Sequence, residues 1–527
     1  MYAHYKAGNY ISLFNLMAQY EQKLRLIDTY WYLRALTAKR LEKFSSAASY
    51  FNVAIAIAPE NPNLLRDISI FHREQGDYLL ALEYASRLVK LFPDNAQNHS
   101  TLGLTYLKMN ELENAEKCLK YAFCLSPTDA KVVNDLAKLK IEQGKYQDVI
   151  NFLESNIKEI ENNFEAICNL ALAYRSVNQP NKACDLLSIP NSSQLASIDN
   201  RTKNQFLFNR SVTLLSVGRC SEGWIDYRKR FFAPEFTTSY RNYKFPRLKR
   251  ISDAVGKKLL IWPEQGVGDQ FTFLSLLHKF QDVTQGKITL MCDPRLKSIY
   301  DRSFPSISVV ADLAPSIENS VFDFHLPLGD IAPLINFTRD SSYMCAPYIK
   351  PKANLSEHWN KLLSKNKLKI GLAWESGIKD CKRELNHTSV GDWADIVENR
   401  KIQTVNLQHA VDTRSMSKVD RQTFDKLYQP NFDLKNDFEN LAALISNLDC
   451  IVSPTSAVMA FAASCGVPTI SYYTYVTDRA LCDAEGREWY QSAWLRKNKI
   501  FLFDQTNKSQ MLKRVAKDIN TYLSNAS

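Results

Sequence analysis

The residues that most constrain the fold recur every 34 positions along the first part of the chain. Pro59, Pro93 and Pro127 form one column at this spacing. A second column holds small side chains at Ala47, Ala81, Ala115, Val149 and Ala183. A third column is mostly aromatic and comprises Tyr10, Phe44, Tyr78, Leu112 and Tyr146. Proline ends a helix and small residues let helices pack closely, so the period predicts one antiparallel helix pair per repeat.

This pattern resembles the tetratricopeptide repeat, and the unit Ala96 to Thr128 matches it best. Within that unit, Leu102, Gly103 and Tyr106 lie at positions typical of the family. The resemblance implies an all-α superhelix over residues 1–232, whose concave face binds a protein partner.

Composition excludes several classes of protein. The chain has 527 residues, of which 45% are hydrophobic and 23% charged, as in an ordinary globular protein. The 66 basic and 56 acidic side chains give a net charge of +10, with no basic block of a nucleic-acid module. The 11 cysteines are scattered and form no Cys-x-x-Cys pair, so no zinc site is expected. Without a long apolar stretch or a secretory signal, a cytoplasmic protein with no transmembrane segment is predicted.

After residue 257, short apolar strands alternate with helical stretches, which predicts parallel α/β sheets. The strands are expected in two sets: 259–262, 288–292, 308–310 and 322–326, then 370–374, 402–408, 450–453 and 468–472. We therefore predict a linker at 233–256, a Rossmann-like lobe at 257–345, an interlobe linker at 346–367 and a second lobe at 368–527. Ligands of such sheets bind at the carboxyl ends of the strands.

Two loops at these strand ends contain candidate binding residues. Gly266 and Gly268 after the first strand allow a backbone to approach an anion or a sugar, and Asp269 follows them. Thr455 and Ser456 open a helix whose free N–H groups and dipole can bind a phosphate. The pattern alone leaves a structural alternative for both loops, in which Asp269 and Ser456 simply cap their helices.

Several segments together resemble the glycosyltransferase domain of bacterial tetratricopeptide-repeat proteins, which is related to the family 9 heptosyltransferases. These segments are 264–269, 405–408, 433–437, 442–445, 448–456 and 466–468, preceded by the helical hairpin at 216–231. The resemblance implies a GT-B fold and transfer of a sugar from a nucleotide-activated donor to a protein. This group includes transferases that glycosylate flagellin, so flagellin or another surface protein is the first expected acceptor.

The resemblance also assigns roles to individual residues. Asp269 takes the place of the catalytic base, which removes the proton from the acceptor hydroxyl. The implied donor-binding residues are Gln265, Gly266, Gly268, Trp374, Lys382, Arg383, Gln408, Thr455, Ser456 and Ala457. A GT-B enzyme needs no metal cofactor, so Lys382 or Arg383 is expected to stabilise the departing phosphate, unless both are merely solvated surface charges.

The chain also departs from the heptosyltransferase pattern. Where that family has Asp-Thr and then His, this chain has Thr455-Ser456 and then Ala460. Loss of the carboxylate and the imidazole leaves open a second interpretation, an interaction scaffold with a degenerate transferase domain. A third interpretation is a lipopolysaccharide-type transferase acting on a glycolipid.

Overall fold

The computed structural model describes most of the chain, in two compact units, Met1–Asn169 and Leu170–Ser527. The described residues are 1–6, 8–177, 179–188, 195, 198–312, 321–337, 347–377, 387–409, 411–473, 499–502 and 508–526. Lys382 and Arg383, two of the predicted donor-binding residues, lie outside them.

The first unit is helical. Its helices are α1 (Tyr2–Lys6), α2 (Tyr10–Leu24), α3 (Asp28–Arg40), α4 (Phe44–Ile57), α5 (Pro62–Gln75), α6 (Tyr78–Leu91), α7 (Ala96–Lys108), α8 (Leu112–Leu125), α9 (Ala130–Glu142), α10 (Tyr146–Ser155) and α11 (Ile157–Ile160). Helix α12 (Phe164–Ser176) crosses the division between the units. Consecutive helices pack as pairs, α3 with α4, α5 with α6 and α7 with α8. This arrangement confirms the helix pairs that the 34-residue period predicts.

The repeat columns have distinct structural roles. Ala47, Ala81 and Ala115 are fully buried, as the predicted close packing requires. A Cβ atom at Gly103 would lie 2.6 Å from Leu119 Cγ, so α7 and α8 approach each other closely here.

A further column at the same period caps the first helix of successive pairs. The side chains of Asn61, Asn95 and Asp129 each accept a hydrogen bond from a first-turn N–H group of α5, α7 or α9. Each of them satisfies a backbone donor that the helix itself leaves unpaired.

The second unit contains two parallel sheets and their helices. The strands are β1 (Lys258–Trp262), β2 (Lys287–Cys292), β3 (Ser308–Ala311), β4 (Phe324–Pro327), β5 (Leu368–Leu372), β6 (Ile402–Asn406), β7 (Cys450–Pro454), β8 (Thr469–Tyr473) and β9 (Lys499–Leu502). The first sheet has the order β3-β2-β1-β4 and the second β6-β5-β7-β8-β9. All of these pairs are parallel, with Leu260 opposite both Thr289 and His325 and Gly371 opposite both Val405 and Ile451. The eight predicted strands are confirmed, and β9 was not predicted.

The helices of this unit are α13 (Pro180–Leu186), α14 (Asn200–Ser216), α15 (Cys220–Tyr227), α16 (Val267–Leu274), α17 (Leu277–Thr284), α18 (Lys297–Ser303), α19 (Ile331–Leu334), α20 (Ala353–Leu362), α21 (Ala394–Val397), α22 (Lys418–Phe424), α23 (Phe438–Ile445), α24 (Ala457–Ser464) and α25 (Lys508–Ala526). One hydrophobic core extends over both sheets and contains Ile261 of β1 and Ile451 of β7.

The division between the units lies before the predicted solenoid boundary at residue 232. The α14–α15 hairpin belongs with the sheets because its Trp224 is buried in their core and donates its Nε1–H to Phe337 O, with an N–O distance of 2.8 Å. The segment predicted as a linker, 233–256, also packs on the first sheet. Tyr240 and Tyr243 cover the face of that sheet where Leu260 and Trp262 project.

His325 of β4 predicts a pH dependence of stability. Its imidazole is buried, and Nδ1 accepts a hydrogen bond from Trp262 Nε1–H at 3.0 Å. Burial, with a smaller effect of Arg247, lowers the pKa of His325 to about 4. An unfolded histidine titrates at about pH 6.5, so the unfolded state binds more protons than the folded state between about pH 6.5 and 4. We expect the contribution of His325 to the free energy of unfolding to be complete above about pH 6.5. It should fall by up to about 3 kcal/mol as the pH drops to about 4.

Urea unfolding of the wild type and His325→Asn across this pH range tests the expectation. Asparagine keeps an acceptor for the Trp262 N–H but does not titrate, so the variant should lose less stability on acidification. Equal pH slopes for the two proteins would show that His325 does not contribute.

Candidate functional site

The two predicted binding loops lie where each sheet reverses its strand order. In the first sheet, β2 and β3 extend to one side of β1 and β4 lies on the other; in the second, β6 and β7 flank β5. The loop after β1 therefore leaves the first sheet at its switch point, and those after β5 and β7 leave the second at the corresponding point. Ligands of open parallel sheets bind in the crevice at such points.

The loop after β1 is shaped by backbone hydrogen bonds. Gln265 has a positive φ of 58°, and its N–H donates to Thr238 Oγ1 at 2.8 Å. Gly266 is exposed and precedes the first turn of α16. Asp269 is half-buried, and its Oδ2 accepts the Gly266 N–H at 3.2 Å. Asp269 thus stabilises the start of α16, which is the structural role that the sequence left open.

The loop after β7 leads into α24. Ser456 precedes the helix in an extended conformation and makes no side-chain cap; its Oγ lies 3.0 Å from Ser453 Oγ. The N–H of Thr455 donates to Tyr472 O at 3.3 Å, and Ala457 is exposed at the first helical position. The positive end of the helix dipole is therefore at Ala457.

These two helix N-termini contact each other. A Cβ atom at Gly268 would lie 3.2 Å from Ala457 Cα and 3.6 Å from its N atom. Further along the same helices, the rings of Phe271 and Phe461 pack with their centroids 4.7 Å apart. The structure therefore brings together Gly268 and Ala457, which the sequence places on separate lobes.

The close approach predicts the effect of a larger side chain. Gly268→Val should force α16 and α24 apart and lower the free energy of unfolding by about 1–3 kcal/mol, as overpacking does. Gly266→Ala is the control, because a Cβ there has only Asp269 Oδ2 within 4 Å, at 3.8 Å, and its φ of −83° suits any residue. Chemical denaturation measures the free energy of unfolding of both variants. Equal values for the two would contradict the close packing of Gly268 against Ala457.

Trp374 and Gln408 lie together in the interior. Trp374 is 3% exposed and packs in the core of the second sheet. Gln408 Oε1 accepts the backbone N–H groups of Trp374 and Glu375 at 3.1 and 2.9 Å. Both side chains thus fix the loop after β5, and the Trp374 ring is buried instead of exposed at the strand end.

A buried ionic network beside the β1 loop was missed by sequence reasoning. Arg230 donates through Nε and Nη2 to Glu264 Oε2 at 2.9 and 2.6 Å, and through Nη1 to Asp330 Oδ1 at 3.0 Å. All three side chains are fully buried. Burial alone would lower the pKa of Arg230, but the two carboxylates outweigh it and hold that pKa above its usual range. No local pattern relates these residues, because they come from three distant parts of the chain.

The described residues contain neither a metal-binding cluster nor a membrane-spanning helix. Within them, no group of three or more His, Cys, Asp or Glu side chains is arranged to hold a metal ion. Among the helices described, none combines the length and the apolar composition that crossing a membrane requires.

Comparison with known proteins gives the following similarities. A family model for the tetratricopeptide repeat matches residues 96–129. The chain is 24% identical over 485 residues to Protein FlbA of Caulobacter vibrioides, covering 88% of this chain and 80% of that protein. It is 25% identical over 133 residues to the anaphase-promoting complex subunit CDC16 of Saccharomyces cerevisiae, covering 24% of this chain and 16% of that protein.

Two solved structures align with this chain at low overall similarity. A chain of the APC/C hetero-tetramer Cut9–Hcn1 aligns with a TM-score of 0.36 and 15% identity, over 44% of this chain and 45% of that one. A tetratricopeptide repeat protein from Parabacteroides merdae aligns with a TM-score of 0.35 and 16% identity, over 43% and 88%. From the family match and the helix pairs, the N-terminal part of this chain is a superhelix of tetratricopeptide repeats, and the C-terminal part carries two parallel sheets.

Proposed function

We propose that the C-terminal part is a GT-B-type glycosyltransferase that moves a sugar from a nucleotide-activated donor to a protein acceptor. The observation that carries the proposal is the contact between Gly268 and Ala457. This contact brings the N-termini of α16 and α24 together at the carboxyl ends of the strands of the two parallel sheets. The carboxylate of Asp269 lies in the first turn of α16.

In this proposal the N-terminus of α24 binds the donor, and the N-terminus of α16 supplies the catalytic base. The N-terminus of α24, with Ser456 and the amide of Ala457, binds the donor phosphate through N–H groups and the helix dipole. Asp269 accepts the proton of the attacking acceptor hydroxyl. As the bond between the sugar and the phosphate breaks, fixed dipoles stabilise the charge of the departing nucleotide, so the mechanism requires no metal.

The repeats would recruit the acceptor. Tetratricopeptide repeats typically bind protein partners on their concave surface, so a protein is the expected acceptor class. Flagellin is the first protein to test, and a glycolipid acceptor is the matched alternative.

A thermal-shift screen followed by a transfer assay tests the proposal. A nucleotide or nucleotide sugar that binds only the native chain raises its Tm. Mass spectrometry should then detect sugar transferred to flagellin, and not to a lipopolysaccharide acceptor, from the donor that gives the shift. No shift and no transfer with the UDP, GDP, ADP, dTDP and CMP sugars would reject a transferase.

A scaffold without catalysis is the second candidate. Trp374 and Gln408 are both engaged inside the fold, and Asp269 binds the Gly266 N–H, so each has a structural role without a donor. Recovery of the same protein partner by the wild type and by Asp269→Asn, without any donor binding, would favour this candidate.

A further inference from the structure

The loop that carries Asp269 is held by residues outside its own strand and helix. We define the site loop as residues 264–269. Within it, Gln265 has a φ of 58°, a left-handed conformation that non-glycine residues rarely adopt. Such a conformation persists where surrounding contacts impose it.

One of these contacts comes from Thr238. Its Oγ1 accepts the N–H of Gln265 at 2.8 Å, and its side chain is half-buried. Thr238 belongs to the segment 233–256, which follows the α14–α15 hairpin and covers the first sheet. The neighbouring Thr237 is exposed, so two adjacent threonines differ in their relation to the site loop.

Two further contacts hold the first residue of the site loop. Arg230 binds Glu264 through Nε and Nη2, at 2.9 and 2.6 Å, with both side chains fully buried. Gly329 packs closely against the other carboxylate oxygen of Glu264, because a Cβ atom at Gly329 would lie 1.9 Å from Glu264 Oε1. Glu264 is therefore confined by residues from before β1 and after β4.

We propose that Thr238 and Arg230 are positioning residues that set the conformation of the site loop and thereby the place of Asp269. Thr238 fixes the turn at Gln265, and that turn directs the Gly266 amide to which Asp269 is bonded. The catalytic part of this inference rests on the proposed function. A displacement of about 1 Å in a catalytic group can reduce the rate by about 100-fold.

Steady-state kinetics of threonine variants test the inference. Thr238→Val has nearly the same shape but loses the acceptor for the Gln265 N–H. We expect kcat to fall about tenfold or more, with KM and Tm close to those of the wild type. Thr238→Ser keeps the hydroxyl and should retain activity, and Thr237→Val is the matched control with no expected effect.

Hydrogen exchange of the full chain provides a readout that needs no activity. In Thr238→Val, but not in Thr237→Val, the amides of residues 265–269 should exchange faster, because the turn at Gln265 is less restrained. Arg230→Lys retains the charge but not the guanidinium geometry, and it should raise exchange in the same residues.

The outcomes separate this inference from the proposed function. If the wild type transfers sugar and Thr238→Val matches it in kcat, the positioning role is rejected while the transferase stands. If the wild type transfers no sugar, the proposed function fails, and exchange alone decides whether Thr238 holds the site loop. Unchanged exchange in Thr238→Val would then reject that as well.

Discussion

Replacing Arg230 by methionine is expected to lower the free energy of unfolding by about 3–5 kcal/mol, the cost of breaking a buried ion pair on one side. Methionine fills much of the space of the arginine stem but removes the charge. The buried carboxylates of Glu264 and Asp330 would then lose the positive charge of Arg230 that offsets their own charge. Asp330 still has Arg247, at an N–O distance of 2.6 Å, so the larger loss falls on Glu264.

An exposed ion pair serves as the control for this variant. Arg219 pairs with Glu222 at 2.7 Å, and their side chains are 51% and 54% exposed. Because water screens such a pair, Arg219→Met should cost about 1 kcal/mol or less. Chemical denaturation of both variants under the same conditions measures the difference.

A double variant separates the charge from its packing. Replacing Glu264 by leucine together with Arg230→Met removes both members of the pair, and part of the lost stability should return. Equal costs for Arg230→Met and Arg219→Met would mean that the buried pair contributes no more than a surface pair.

Replacing Asp269 by asparagine is expected to reduce kcat by about 10²- to 10⁴-fold, as loss of a general base does, if the proposed function is correct. Asparagine retains an oxygen that can accept the Gly266 N–H, so α16 should still form. The melting temperature of Asp269→Asn should therefore remain close to that of the wild type, whereas kcat for sugar transfer falls.

Asp293 provides a matched control in the same sheet. It follows β2 and accepts the N–H of Arg295 at 2.9 Å at the start of a short 3-10 helix, as Asp269 accepts the N–H of Gly266 at the start of α16 after β1. Strand β2 is not at the switch point, so Asp293→Asn should leave kcat unchanged. Full transfer activity in Asp269→Asn would exclude this residue as the base.

The local patterns predicted much of the secondary structure. The repeat period identified the helix pairs because each repeat must bury the same side chains against its neighbours. Glycine lies two residues before the third column at Gly8, Gly76 and Gly144 but not in the repeats between them, and the period does not explain this alternation. Gly76 and Gly144 have a positive φ, but so do Glu42 and Asn110 in the intervening repeats, so the left-handed turn recurs even without glycine.

The candidate site was only partly predictable. Gly268 and Ala457 were singled out separately, yet their contact could not be, because they are far apart in sequence and meet through two sheets. The family resemblance implied donor-binding roles for Trp374 and Gln408, and the structure buries both side chains. The segment 233–256 lacks a regular pattern, so its packing on the first sheet was not expected.

The sequence by itself determined the helix pairs and the two sets of parallel strands, since periodic burial and strand-forming runs are local properties of the chain. Only the tertiary structure decided which loops meet, and it joined Arg230, Glu264 and Asp330 in one buried network. Such a network forms because a charge removed from water needs a partner, and folding can supply that partner from any distance along the chain.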